Sequence, residues 1–316
     1  MKAIWTAGEA LCEIMRETCD VGLEAAGTFR GPFPSGAPAI FADTAAKLGC
    51  PSGLIGTVGD DAFGRCILKR FEQDGVDCSC VRVSGDLPTA VAFVSYTAAG
   101  DRTFIFHIGN AAAKEIHCPE TMPQNVGAFH VMGCAIMASS VIAQNVYKAT
   151  QYYYEQGAVI SFDPNIRLES LRGQDLRQLI APIMARCSIF MPGLDELTAI
   201  AGVETVEAAA ERLFRNPVLK VIVLKNGGKG SRIITRKSNE LIPACKVMTL
   251  DSTGAGDSFD AGFMVAYLEG HSLTECAQAA SATAALNCAA FGPMEGNITR
   301  AAVNELAHKN YGINIL

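Results

Sequence analysis

A ten-residue stretch near the C-terminal end, residues 250–259 (LDSTGAGDSF), combines a carboxylate with a turn that is almost free of side chains. Because Gly254, Ala255 and Gly256 carry little or no side chain, their backbone N–H groups can approach a ligand closely. The apolar spacing that follows predicts a helix, so the turn lies at a helix N-terminus, where free N–H groups and the helix dipole attract an anion. Asp257 in the same turn could act as a general base, taking a proton from a hydroxyl while the N–H groups hold a phosphoryl group.

The same turn also fits a simpler function, because glycines followed by an acid are common at helix starts. Two standard nucleotide-binding motifs are absent. Residues 227–231 (GGKGS) have the wrong spacing for a P-loop, and Gly254-x-Gly256 lacks the third glycine of a dinucleotide fingerprint. The spacing alone therefore leaves both capping and catalysis open.

Composition limits the classes of protein to which the chain can belong. Its 316 residues suffice for one large domain, or for a domain with a small appendage, and 49% apolar residues allow a sizeable core. A formal charge of −6 without a basic run argues against nucleic-acid binding. The sequence has no secretory signal and no apolar stretch near ~20 residues long, so we expect a cytoplasmic protein that does not cross a membrane.

The twelve cysteines are scattered, with no C-x-x-C motif and no paired zinc spacing. The nearest pair, Cys78 and Cys80, has no second Cys or His pair close by to complete a metal site. The cysteines therefore predict reduced thiols, many of them acting as small core residues.

Apolar strand-like runs alternate with helix-like segments through most of the sequence. The clearest runs cover residues 53–58, 128–132, 159–162, 188–191 and 221–224, and helices are predicted around residues 61–73 and 140–155. Polar residues such as Asp163, Asp195 and Lys225 follow the later runs. This order is typical of a doubly wound α/β fold with a mostly parallel sheet flanked by helices, in which ligands bind outside the carboxyl ends of the strands.

Two stretches, residues 10–33 and 88–110, break the alternation because they lack long helices. The second predicts a β-hairpin, with a strand over residues 90–96, a turn, and a strand over residues 102–107. We expect both stretches to form a small β-sheet lid over the open face of one α/β domain that spans residues 1–316.

Four signatures, found in this order, resemble the ribokinase-like, or PfkB, family of sugar kinases. They are residues 34–39 (PSGAPA), 56–64 (GTVGDDAFG), 163–167 (DPNIR) and 251–257 (DSTGAGD). The resemblance covers nearly the whole chain. It implies a ribokinase-like fold and an ATP-dependent kinase that phosphorylates a primary hydroxyl of a small sugar.

The resemblance also implies catalytic and nucleotide-binding residues. Asp257 matches the family's general base, and the N–H groups around Gly254, Ala255 and Gly256 match its anion hole. The ATP-binding residues implied in the same way are Lys225, Gly227, Gly230, Thr253, Gly256, Ser281 and Ala285. Ser281 and Ala285 lie in a small-residue helix predicted over residues 279–290, which equally fits plain helix–helix packing.

Two ion sites follow from the resemblance. Glu196 matches a residue that orders Mg²⁺ through water, although Gly193 replaces the usual Asn, so that Asp195 or Asp163 would have to compensate. Asp195 and Glu196 also fit a helix start without a metal. The positions that resemble the family's loop for a monovalent cation such as K⁺ are Asp251, Thr253, Asn287, Ala290 and Gly292.

The substrate-binding positions implied by the resemblance are Glu13, Gly36, Ala37, His107, Arg167 and Asp257. His107 stands where 2-keto-3-deoxygluconate kinases carry an arginine for the substrate carboxylate, and a mostly neutral histidine cannot form that bidentate pair. Ile40 stands where ribokinases carry an asparagine. These replacements favour a neutral ketohexose, such as tagatose or fructose, over a sugar acid or ribose. His107 could instead lie at the hairpin edge without touching a substrate.

Three other functions remain compatible with the sequence: a sugar-acid kinase of the 2-keto-3-deoxygluconate type, a nucleoside kinase of the same fold, and a sugar-binding protein that has lost catalysis. The expected partners are a small sugar and ATP, with no nucleic acid and no membrane. Because an open lid exposes strand edges that invite pairing, we also expect a homodimer formed through the lids.

Overall fold

The computed structural model describes residues 1–100, 102–167, 171 and 173–316. The strands in these residues are β1 Ala3–Ala7, β2 Leu11–Arg16, β3 Phe29–Ser35, β4 Ser52–Gly59, β5 Val81–Ser84, β6 Ala90–Tyr96, β7 Arg102–His107, β8 Val126–Met132, β9 Val159–Asp163, β10 Ile189–Phe190, β11 Val221–Lys225, β12 Ser231–Ile234 and β13 Asn239–Ile242. The helices are α1 Ala37–Lys47, α2 Ala62–Asp74, α3 Gly133–Ala138, α4 Ser140–Glu155, α5 Leu176–Met184, α6 Leu194–Ala201, α7 Val206–Leu213, α8 Ala255–Leu268, α9 Leu273–Cys288 and α10 Arg300–Tyr311.

Within these residues the strands form a nine-stranded sheet, in the order β13-β12-β11-β10-β9-β8-β1-β4-β5, and a four-stranded sheet, in the order β3-β2-β6-β7. The strands from β11 to β5 pair in parallel, and β12 and β13 add an antiparallel edge. The predicted doubly wound α/β fold with a mostly parallel sheet is therefore confirmed.

The large sheet is buried on both faces because successive residues of each strand point to opposite sides. Ile4 and Ala128 pack on one side with the apolar residues of α8 and α9. Trp5 and Phe129, one position further along the same strands, pack on the other side with those of α4. This two-sided core explains why the strands read as continuous apolar runs in the sequence.

The structure corrects some predicted boundaries. Only Ile189 and Phe190 of the run at residues 188–191 pair as a strand. The helix predicted over residues 279–290 begins earlier, after the N-cap Ser272, and ends at Cys288. The helices predicted around residues 61–73 and 140–155 are α2 and α4. None of the helices in the described part of the chain is long and apolar enough to span a membrane.

The small sheet is built from the two stretches that lack long helices. β2 and β6 pair in parallel at its centre, whereas β3 and β7 pair antiparallel at its edges. The register places Glu13 opposite Ala92 and Ala92 opposite Phe106, so these three side chains share one face. His107 and Ile105 lie on the opposite face, where Ile105 is 46% exposed.

Candidate active site

The glycine turn at the start of α8 has a backbone conformation that suits glycine. Gly254 precedes the helix with a φ of 77°, and a side chain there would meet the Pro293 carbonyl oxygen at 2.7 Å. In the described part of the chain, the N–H groups of Gly256 and Asp257 donate to no protein acceptor. These donors lie at the positive end of α8, so the turn can hold an anion.

Two cavities meet at this turn. The central cavity, of about 320 Å³, is lined by these predicted site residues: Glu13, Gly36, Ala37, Arg167, Gly254 and Asp257, and also by Thr253. The second cavity, called the loop cavity below, has a volume of about 550 Å³. Its lining includes the predicted site residues Lys225, Gly227, Gly230, Ala255, Gly256, Ser281 and Ala285. The turn therefore lies between the residues expected to bind a sugar and most of those expected to bind ATP. Thr253, expected on the ATP side, lines the central cavity instead.

Asp257 lies in the first turn of α8 and lines the central cavity, with only 9% of its surface exposed. Burial, together with the negative charge of Asp163, raises its pKa to about 7. The Asn165 side-chain amide donates a hydrogen bond of 3.4 Å to its Oδ1. A carboxylate whose pKa lies near neutrality suits the transfer of a proton from a hydroxyl.

Lys225 pairs with two carboxylates beneath the glycine turn. Its Nζ lies 2.7 Å from Asp163 Oδ2 and 3.0 Å from Asp260 Oδ2. Burial alone would lower the pKa of this ammonium, but the two carboxylates hold it above its ordinary value. The same pairing holds the pKa of Asp163 below its ordinary value against the effect of burial. Lys225 thus lines the loop cavity with its charge already balanced by protein groups.

Glu196, the residue expected to order Mg²⁺, uses both of its oxygens to bind backbone groups. Oε2 accepts a hydrogen bond of 2.7 Å from Gly193 N–H, which completes a capping box on α6, and Oε1 accepts one of 2.7 Å from Ile166 N–H. Within the described residues, no group of three or more His, Cys, Asp or Glu side chains could hold a metal ion. Because a carboxylate oxygen has two lone pairs, Glu196 keeps an acceptor site for a metal-bound water, which fits only water-mediated binding.

The five positions expected to form a monovalent-cation loop lie together. Asp251 accepts hydrogen bonds from the N–H and hydroxyl of Thr253, at 2.9 and 2.8 Å, and from Gly292 N–H at 3.0 Å. The Asn287 side-chain amide donates a hydrogen bond of 2.6 Å to the Thr253 carbonyl. The backbone carbonyl of Asn287 accepts one of 3.2 Å from Ala290 N–H. Asn287 Oδ1 is buried and meets no donor in the described residues, so a cation at this loop would satisfy it.

The wall of the central cavity opposite α8 comes from the first strands and α1. Glu13 Oε1 accepts a hydrogen bond of 2.6 Å from the Ser35 hydroxyl, and burial raises the pKa of Glu13 to about 7. Gly36 caps α1 with a φ of 105°, and a side chain there would meet the Glu9 carbonyl oxygen at 2.4 Å. The glycine therefore lets the start of α1 approach the backbone of Glu9 closely.

The structure places two charged side chains in the central cavity that sequence reasoning did not single out, Glu9 and Arg102. Arg102 shares a face of β7 with Phe104 and Phe106, which also line this cavity. The register of the hairpin would therefore have indicated that Arg102 faces the cavity. His107 does not line the central cavity. It lies one residue beyond Phe106, on the opposite face of β7, and lines a separate cavity beside Phe93 and Ala62. The geometry thus gives no support to its expected substrate contact.

Comparison with known proteins identifies the family. The sequence pattern of pfkB family carbohydrate kinases matches residues 30–300. A fructokinase from Klebsiella pneumoniae is 30% identical over 274 residues, which make up 86% of this chain and 86% of that protein. The chain belongs to the pfkB family of carbohydrate kinases. This confirms the resemblance seen in the sequence, and the chain is an ATP-dependent carbohydrate kinase.

Two further relatives place this carbohydrate kinase within the family. Fructokinase-1 of Zea mays is 30% identical over 257 residues, which make up 80% of this chain and 79% of that protein. A crystal structure of an E. coli protein with the provisional name ribokinase II, in complex with ATP and Mg²⁺, has a TM-score of 0.91 at 33% identity. That comparison covers 98% of this chain and 100% of the other.

The Lys225 ion pairs generate a stability prediction. We expect Lys225→Met to lower the free energy of unfolding of this carbohydrate kinase by about 3–5 kcal/mol, because it leaves the buried carboxylates of Asp163 and Asp260 without their counter-charge. A second change, Asp260→Asn, should restore part of the loss by removing one of the two acids that the ammonium no longer separates. Urea unfolding followed by circular dichroism measures both effects. Lys229→Met is the control, since Lys229 is exposed in the next loop, and equal stability of the Lys225→Met variant and this control would contradict the prediction.

Proposed function

We propose that the chain transfers the γ-phosphoryl group of ATP to a primary hydroxyl of a ketohexose bound in the central cavity. The observation that carries this proposal is the position of the Gly254–Gly256 turn between two cavities, with Asp257 facing one of them. A turn placed in this way can hold the phosphoryl group while it passes from one ligand to the other. The proposed base is Asp257, and the proposed anion hole consists of the N–H groups around the turn.

The proposed reaction has few steps. ATP occupies the loop cavity, and the glycine loop at Gly227 and the small residues of α9, Ser281 and Ala285, border it. Asp257 takes the proton of the sugar hydroxyl as its oxygen attacks the γ-phosphorus atom, and ADP leaves with the bridging oxygen. The N–H groups at the start of α8 then stabilise the charge on the transferred phosphoryl group. ATP-bound Mg²⁺ would neutralise phosphate charge, with Glu196 holding it through water, and K⁺ would lie at the Asp251–Thr253 loop.

Charge in the central cavity supports a neutral sugar. Three carboxyl groups, those of Glu9, Glu13 and Asp257, line the cavity, against two arginines, Arg102 and Arg167. A ligand carboxylate would place a further acid beside three acids whose pKa values burial already raises, whereas sugar hydroxyls can donate hydrogen bonds to them. The volume of about 320 Å³ lies at the small end of the range for small-molecule sites. The relatives named fructokinase agree with this choice.

A sugar-acid kinase is the second candidate, and the two arginines favour it. Arg167 was expected in this cavity. Arg102 is a second cation there, and the sequence did not indicate that a sugar acid would find it. Arg102 Nη1 lies 3.3 Å from the Thr253 hydroxyl, so it is positioned by the loop next to the glycine turn. A carboxylate bound between the two guanidinium groups would have the bidentate partners that His107 cannot supply.

The assignment of the base predicts a catalytic defect and a pH dependence. Asp257→Asn should keep the fold but lower kcat by about 10²–10⁴-fold, because the amide cannot accept the proton. Because the pKa of Asp257 is raised to about 7 and only the ionised form accepts a proton, kcat/KM should rise with pH up to about 7 and level off above it. Coupled assays of ADP release from pH 5 to 9 measure both effects, with the exposed Asp86→Asn as control. Near wild-type turnover of Asp257→Asn would remove the base from the proposal.

The substrate class predicts an order of specificity constants. We expect kcat/KM to be higher for fructose or tagatose than for 2-keto-3-deoxygluconate or ribose, because a ligand carboxylate would lie beside three buried acids that sugar hydroxyls can instead satisfy. Competition assays with pairs of these sugars under limiting ATP give the ratio directly. Arg102→Gln separates the candidates, since it should reduce activity toward the sugar acid far more than toward fructose if a sugar acid is the substrate. A wild-type enzyme that prefers the sugar acid would contradict the ketohexose proposal and favour the sugar-acid kinase.

The outer face of the small sheet supports the expected homodimer. Val91, Phe93 and Ile105 form an apolar row there, beside a cavity of about 800 Å³. We expect a dimer in which two small sheets cover these faces, and we expect Ile105→Asp to convert it to a monomer. Sedimentation velocity at micromolar concentration measures the mass, with Val83→Asp as control because Val83 is exposed on β5 of the large sheet. A monomeric wild type would contradict the predicted dimer. It would not test the separate prediction that this sheet acts as a lid.

A further inference from the structure

Glu9 is a buried acid that the proposed chemistry leaves without a function. It lies two residues after the end of β1, it is 7% exposed, and it lines the central cavity. Its Oε1 accepts a hydrogen bond of 3.1 Å from the thiol of Cys134 on α3, whereas its Oε2 meets no donor in the described residues. A buried carboxylate oxygen without a donor costs free energy, so a ligand that supplies the donor gains affinity.

Glu13, in β2, shows the same arrangement. One of its oxygens accepts a hydrogen bond from a protein side chain, the hydroxyl of Ser35, and the other, Oε2, has no donor in the described residues. Glu13 also lines the central cavity. Two buried acids in one cavity therefore each keep one oxygen fixed by the protein and the other unpartnered, which is a pattern that suits a ligand with several hydroxyl groups.

The donor on Cys134 is the second element of the arrangement. Burial raises the pKa of the Cys134 thiol well above its usual value, so the sulfur keeps its proton and can donate it to Glu9. Gly36 brings the backbone of Glu9 close to the start of α1, because a side chain at Gly36 would collide with the Glu9 carbonyl. The carboxyl group is thus held from both sides, by its backbone and by its Oε1.

We propose that Glu9 is a specificity-determining residue that accepts a hydrogen bond from one sugar hydroxyl through its unpartnered oxygen. The hydroxyl concerned is not the one that is phosphorylated, because Asp257 receives that proton in the proposed reaction. Glu9 then selects sugars that present a hydroxyl at this position and rejects analogues that lack it. The inference rests on the proposed function, since it concerns the sugar bound in the same cavity.

The test compares wild type, Glu9→Gln and the control Glu17→Gln, in which an exposed glutamate near the small sheet is changed. The full chain is first assayed on a panel of neutral sugars and sugar acids, and the best substrate of that panel is then used with its monodeoxy analogues. We expect Glu9→Gln to raise KM about 10- to 100-fold with kcat nearly unchanged, because the amide oxygen stays with the Cys134 thiol and the amide NH2 group, a donor, then faces the sugar hydroxyl. We also expect one deoxy analogue on which wild type and Glu9→Gln have equal KM values.

The outcomes separate this inference from the proposed function. A panel on which only sugar acids react contradicts the ketohexose, and the same variants then test Glu9 on the hydroxyls of that acid. An unchanged KM of Glu9→Gln, or an equal loss on every analogue, overturns the role of Glu9 whichever substrate is best. If Glu9→Gln melts at a lower temperature than wild type, Cys134→Ala replaces it, because it keeps the acid and removes only the donor. That variant should raise KM several-fold for the parent sugar and not for the matching deoxy analogue, and the absence of this difference overturns the inference.

Discussion

The ion pairs of Lys225 hold together the parts of the molecule on which the site depends. Lys225 ends β11, Asp163 ends β9, and Asp260 lies in α8, so three elements that are far apart in sequence meet at one ammonium group. The side chains of Lys225 and Asp163 meet because the carboxyl ends of parallel strands lie at one edge of the sheet. Asp257 and Asp260 are three residues apart on α8 and so lie on the same side of the helix. The pairing of Asp260 with Lys225 therefore also fixes the direction in which Asp257 faces.

The same network sets the electrostatic environment of Asp257. Burial raises the pKa of Asp260 well above its ordinary value, whereas Lys225 holds that of Asp163 below its ordinary value, so Asp163 is the partner that carries the negative charge. His130 does not add a positive charge, because burial lowers its pKa to about 3, and its Nδ1 lies 2.8 Å from the Ser161 hydroxyl. The charge of Asp163 therefore adds to the effect of burial and raises the pKa of Asp257. One set of contacts thus both positions this carboxyl group and brings its pKa close to neutrality.

The sequence predicted the fold well because its strongest signals are local. Apolar runs, the glycine turn and helix periodicity depend on neighbouring residues, and they placed the parallel sheet and the start of α8 correctly. The contents of the central cavity depend instead on strand register, which a single sequence does not contain. His107 was chosen because it matches a family position, whereas successive residues of β7 point to opposite faces of the sheet, so that Arg102 lines the central cavity and His107 does not. Glu9 was missed because its significance lies in an unpartnered oxygen, which only three-dimensional packing can reveal.

The small sheet and the glycine turn are mechanically connected. The Tyr96 hydroxyl lies 3.3 Å from the Thr253 hydroxyl and 3.4 Å from Asp251, and Arg102 reaches the same threonine. Thr253 directly precedes Gly254, so a displacement of the sheet would act on the turn within one residue. In the proposed reaction this connection has a purpose, because the phosphoryl group must pass to a sugar hydroxyl and not to water. A sheet that covers the sugar and also touches the loop before the anion site would complete that site only when the cavity is covered, and so would couple sugar binding to phosphoryl transfer.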